Sequence, residues 1–152
     1  MKCLAIAAVL ACTLLLKEDS SETFKAVKAS EVQWVDAVKQ APKGVKNCLL
    51  HGDTAKGPFI MLAKFSPGTV VAPHTHMTDE VVSIVSGNFV IGSGEKIDES
   101  KGKVVDAGGY FTIKAGTPHW AMVTETVLVR YGNGPADIKY VNPADDPTKS
   151  KK

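Results

Sequence analysis

Three of the four histidines in this chain fall within two short segments bounded by glycines. In the first, between Gly68 and Gly87, His74 and His76 stand two residues apart and Glu80 follows four residues later. Residues two apart on an extended strand face the same way, so both imidazoles can enter one cavity. Glu80, an even number of positions further on and just past the polar Thr78-Asp79 step, can reach that cavity from the next strand. The second segment, between Gly108 and Val123, contributes His119. A turn over 115–118 would deliver it to the start of a strand, where it completes a shell of three imidazoles and one carboxylate. This borderline-to-hard donor set suits one divalent transition metal, and iron, manganese, zinc, nickel and copper all accept it. On an octahedral ion, four protein ligands leave two adjacent positions for water, dioxygen or a bidentate oxygen ligand.

These residues resemble the cupin superfamily. Its first motif places a Gly, five residues, His-x-His, three or four residues, a Glu, six residues and a second Gly. Gly68, His74, His76, Glu80 and Gly87 meet that pattern at every fixed position. Its second motif is met more loosely. Gly108, Gly116 and His119 stand where it has Gly, Gly and His, whereas Lys114 replaces its Pro and Val123 its Asn. The ligand position is kept, and the two departures bear on the shape of the turn. The resemblance spans roughly 59–131 and implies an all-β, double-stranded β-helix (jelly-roll) barrel with the metal in its mouth. It further implies a small-molecule metalloenzyme of dioxygenase, isomerase or lyase type, in which Glu80 could double as a proton acceptor if it loosens from the ion. Two rival readings remain open: a metal-holding module that binds or senses a small ligand without turning it over, and an empty barrel with no metal.

The elements that must position these side chains are short strands. A length of 152 residues is that of one domain, and 44% apolar with 22% charged residues marks a soluble globular chain. A net charge of +2 with scattered lysines makes no phosphate-tracking surface, which excludes nucleic acid as partner. Thirteen glycines and eight prolines predict many turns. Strand-like runs are read at 45–50, 59–65, 80–85, 89–92, 110–113, 120–123, 126–131 and 138–141, separated by turn chemistry. The charged stretch 93–103 reads as a solvated loop with one helical turn. Trp34 is expected as a core anchor, Phe65, Tyr110 and Phe111 as barrel lining, and His51 as a structural residue. Trp120 and Met122 alternate with His119 and should face away from the metal. Arg130, the sole arginine, either steadies an anionic substrate or caps the sheet surface.

Before the barrel, residues 4–16 form an uncharged, mostly apolar run of thirteen residues. That is shorter than the ~18 needed to cross a bilayer, so residues 1–16 read as a signal-peptide-like segment, 17–30 as a linker, 31–141 as the barrel domain and 142–152 as a tail. The protein is then expected in the periplasm or secreted. Val9-Leu10-Ala11-Cys12 also resembles a lipoprotein processing site, which would make Cys12 a lipid anchor. With Cys3 and Cys12 in the leader, Cys48 is the only domain thiol, expected buried and inert. The resemblance further implies pairing of barrels through their sheets, and the strand holding Trp34 is the candidate homodimer surface.

Overall fold

Alternation of inward apolar and outward polar side chains organises the chain into two antiparallel sheets in a computed structural model that describes residues 24–149. The leader-like segment and Cys12 lie outside the described residues. The chain divides into a short unit ending at Glu31, whose described part holds one 3-10 turn (Ala29–Glu31), and a main unit from Val32 onward. The main unit contains β1 (Val35–Asp36), β2 (Lys46–Gly52), β3 (Gly57–Phe65), β4 (Thr69–Thr75), β5 (Glu80–Ser86) and β6 (Asn88–Ser93). It continues with β7 (Lys103–Asp106), β8 (Tyr110–Ile113), β9 (His119–Val123), β10 (Thr126–Gly134) and β11 (Lys139–Tyr140). One sheet runs β1-β2-β3-β10-β5-β8 and the other β11-β4-β9-β6-β7. This is the expected jelly-roll barrel.

Every second residue of the central strands enters the space between the sheets. Ala63, Val71, Val82, Ile84, Phe89, Ala121, Val123 and Leu128 form one buried cluster there. Phe65 and Phe89 meet edge to face at 5.7 Å, and Phe111 stacks on Phe89 at 5.4 Å. Such pairs add to simple area burial.

All eight expected runs are strands, with shifted ends. Three more strands join them: β1 beside Trp34, where a short strand is expected, β4, the extended strand that carries His74, and β7, which was not anticipated because Val104-Val105 is hidden among charges. The 93–103 stretch contains the expected single turn, Glu99–Lys101. Three expectations about burial fail. Trp34 is only half-buried, since it precedes the short edge strand β1 rather than entering the core. Tyr110 is 72% exposed because its register against Ser83 turns it outward. Cys48 is half-buried, opposite Leu62.

Trp120 does face away from the barrel interior, yet it is fully buried. Its ring packs over Gly92, its register partner on β6, and against Gly102 beside the 3-10 turn. A Cβ at Gly92 would lie 2.1 Å from Trp120 Cζ2. Gly92→Ala should therefore lower stability by about 1–3 kcal/mol through overpacking, read as a lower denaturation midpoint, and an unchanged midpoint would contradict this packing.

Candidate metal centre

The imidazoles come from one sheet and the carboxylate from the other. His74 lies on β4 directly opposite His119, the first residue of β9. A register shift between Val71 and His74 puts Pro73 and His74 both inside, so simple alternation is broken at the ligand-bearing end of the strand. His76 follows β4 and is turned back into the same space. Glu80 opens β5 and occupies the first of its inward positions, followed by Val82 and Ile84. His74, His76, Glu80 and His119 are all buried.

Each imidazole is held at its Nδ1 by a backbone carbonyl. His74 Nδ1 donates to Ala72 O at 2.8 Å, His119 Nδ1 to Thr117 O at 2.9 Å, and His76 Nδ1 to Asp137 O. A carbonyl only accepts, so the proton resides on Nδ1 and the Nε2 lone pair is left free. The ligand atoms of the three histidines lie within 4.8 Å of one another. Glu80 Oε2 sits 3.7 Å from His76 Nε2 and 3.8 Å from His119 Nε2. The three histidines thus can hold a metal ion, with lone pairs already converging and their other ring nitrogens engaged as metal-binding imidazoles normally are.

Burial also keeps protons off these rings. Desolvation, reinforced by the neighbouring His119 and His76, pushes the His74 imidazole down to about 3. Desolvation likewise lowers His76, against the opposing pull of Glu80. Neutral imidazole is the form that coordinates.

The loops that carry the ligands are stitched together. Asp79 accepts the Ala115 N–H at 2.9 Å on Oδ1 and pairs with Lys114 Nζ at 2.6 Å on Oδ2. Gly116 N–H donates to His76 O at 2.9 Å. Lys114, the departure from the family's Pro, is therefore built into the turn that presents His119. Asp137 Oδ1 accepts the Met77 N–H at 2.9 Å, and Thr78 Oγ1 donates to Asn133 O at 2.9 Å.

Arg130 is the site residue whose role the sequence left open. On β10 it stands opposite Val82 of β5, which makes Glu80, two residues away on the same face, its diagonal neighbour. Arg130 Nε lies 2.6 Å from Glu80 Oε1, and its guanidinium sits 5.7 Å from the centre of the Phe59 ring. His51 is exposed on β2 and is not among the residues that face the cavity.

The histidines, Glu80 and Arg130 face a cavity of about 180 Å³ that runs from the mouth, at Val38, Pro42 and Ile138, into the apolar interior at Phe111 and Leu128. Because the folded chain refuses a proton at His74 that the unfolded chain accepts near 6.5, this stability is fully present above pH 6.5 and is lost as pH falls toward 3. Metal-free protein should accordingly show denaturation midpoints that drop from pH 7.5 to 5, with a shallower slope in His74→Gln. Equal slopes would contradict the assignment.

Residues 22–137 match the sequence family described as the ChrR cupin-like domain. No curated protein matches the chain in sequence. Among solved structures, the polyketide cyclase RemF from Streptomyces resistomycificus superposes with a TM-score of 0.66 at 18% identity, over 82% of this chain and 89% of that one. A proposed acetylacetone dioxygenase from Methylibium petroleiphilum PM1 superposes at 0.62 and 20% identity, covering 86% and 89%. A structure of DMSP lyases gives 0.57 and 18% identity, covering 75% and 64%. At such identities the likeness is one of fold, while the family match extends over more than half of the sequence. With its two-sheet barrel and its paired glycine-bounded motifs, the chain belongs to the ChrR cupin-like domain family of the cupin superfamily.

Proposed function

We propose that this protein is a metal-dependent cupin enzyme that acts on a small, oxygen-rich molecule by dioxygenase-, isomerase- or lyase-type chemistry. His74, His76, His119 and Glu80 hold one divalent transition ion. The observation that carries this reading is the convergence of three buried Nε2 lone pairs, each fixed by a carbonyl at Nδ1. Four-ligand coordination leaves room for an oxygen ligand, and the bound ion would act on it as a Lewis acid or one-electron partner. The leader-like residues 1–16 support a periplasmic or secreted setting, with Cys12 as a lipid-anchor site.

The remaining work falls to Glu80 and its surroundings. Arg130 holds Oε1, which leaves Oε2 turned toward the histidines as the oxygen that would bind the ion and, once loosened from it, accept a proton. Asp137, the other carboxylate at the cavity, is committed through Oδ1 to the Met77 N–H. Apolar side chains around the histidines limit water around the reacting oxygen and strengthen electrostatic contacts there.

A non-catalytic metal-holding module is the second reading, favoured by one observation. Among the described residues at the cavity there is no serine, lysine, tyrosine or cysteine, and Asp137, the carboxylate besides Glu80, already accepts the Met77 N–H. Elemental analysis of protein purified from its native compartment should give one transition ion per chain, and His76→Ala should abolish it. Assay against enols, phenols and keto acids separates the readings: turnover lost in Glu80→Gln supports the enzyme, whereas full metal content without turnover supports the binding module. Metal-free wild type that takes up no offered ion would overturn both.

A further inference from the structure

The cavity contains one fixed cation, and it is only partly used. Among the described residues facing this space, Arg130 is the only arginine or lysine. Its contact with Glu80 is close, 2.6 Å between Nε and Oε1, but the N–H does not point along that line, so Nε is buried without a hydrogen-bond acceptor. No hydrogen bond joins its Nη donors to a described residue either. A guanidinium offers five N–H donors in a planar fork, and Nη donors with no partner in the protein are open to a ligand oxygen. The side chain is only 13% exposed and lies near the Phe59 ring, which restricts its orientation.

Charge points the same way. Arg130 balances Glu80, ligating imidazoles are neutral, and Asp137 offsets one charge, so a cavity loaded with a divalent ion keeps a net positive charge. Such a site favours an anion over a neutral molecule. The space beyond is small, about 180 Å³, and its far end is lined by Phe65, Val71, Phe89 and Phe111. That end suits a compact apolar body. The guanidinium and the histidine cluster flank opposite oxygens of one carboxylate, Oε1 and Oε2 of Glu80. One small ligand can therefore reach both.

We propose that Arg130 is the carboxylate-recognition residue of this cavity, and that the molecule taken is a small carboxylic acid with a short apolar chain and an oxygen on the carbon next to the carboxylate. The acid group meets the Arg130 fork and the neighbouring oxygen meets the metal. This substrate class rests on the metal-enzyme reading above, whereas the anion contact with Arg130 stands on the protein alone.

The test is calorimetric titration of 3-methyl-2-oxobutanoate and, separately, its neutral amide into metal-free and zinc-loaded protein, with metal content measured in parallel. Wild type should bind the acid at least about tenfold more tightly than the amide, as expected for charge-assisted hydrogen bonds. Arg130→Gln should erase that preference with the metal content of the loaded protein unchanged. Arg130→Lys, which keeps the charge and loses the fork, should fall between them, and it serves alone if Arg130→Gln does not fold. Equal binding of acid and amide by wild type, an unchanged preference in both variants, or no binding of the acid would each overturn the proposal. A preference for the acid in metal-free wild type that takes up no zinc would sustain the Arg130 contact and remove the metal reading. Zinc uptake without any preference for the acid would do the opposite.

Discussion

Three hydrogen bonds from histidine Nδ1 atoms to the carbonyls of Ala72, Thr117 and Asp137 decide what this barrel can do. An imidazole has two nitrogens, and only one of them can be the ligand. By occupying Nδ1, the backbone fixes both the proton and the ring plane, and the Nε2 lone pairs are brought together before any ligand arrives. Two of the three carbonyls lie two residues before the histidine they hold, so each is set by the local strand or turn geometry. The third, Asp137, comes from sixty-one residues away and draws the loop before β11 over the site.

Packing elsewhere serves that arrangement. The bulge in β4 admits both Pro73 and His74 to the interior, and the pairing of His74 with His119 brings two imidazoles to neighbouring positions of one sheet. Glu80 faces them from the opposite sheet. Behind β9, Trp120 is sealed under the 93–103 stretch against two glycines, which anchors the strand that starts at His119. Asp79 clamps the turn that leads into it. Rigid support of this kind is what a site needs if its donor atoms are to converge without rearrangement.

Electrostatics then sets the character of the cavity. Like groups crowd together there, and burial keeps His74 and His76 from taking up protons that would repel one another and an incoming cation. Of the two carboxylates at the cavity, Glu80 is matched by Arg130 and Asp137 accepts the Met77 N–H. The cavity thus combines imidazoles that could take a cation with a guanidinium that could take an anion, in a largely apolar surrounding.

Much of this was legible in the amino-acid order. The spacing of Gly68, His74, His76, Glu80 and Gly87 pointed to side chains that the fold does bring together, and period-two alternation marked the strands that carry Glu80, His119 and Arg130. The edge strand β7 was not legible, because Val104-Val105 stands among charges, and Trp34 lies outside the core because a large aromatic side chain need not reach it. The partner of Arg130 was not readable at all. Glu80 and Arg130 are fifty residues apart, and only the register of β5 against β10 makes them diagonal neighbours. Residue type and spacing specify which chemistry is available, since those are local properties of the chain. Which nitrogen is free, which carboxylate oxygen is taken and which cation is left with spare donors depend on contacts between distant strands and loops, and only the folded barrel decides them.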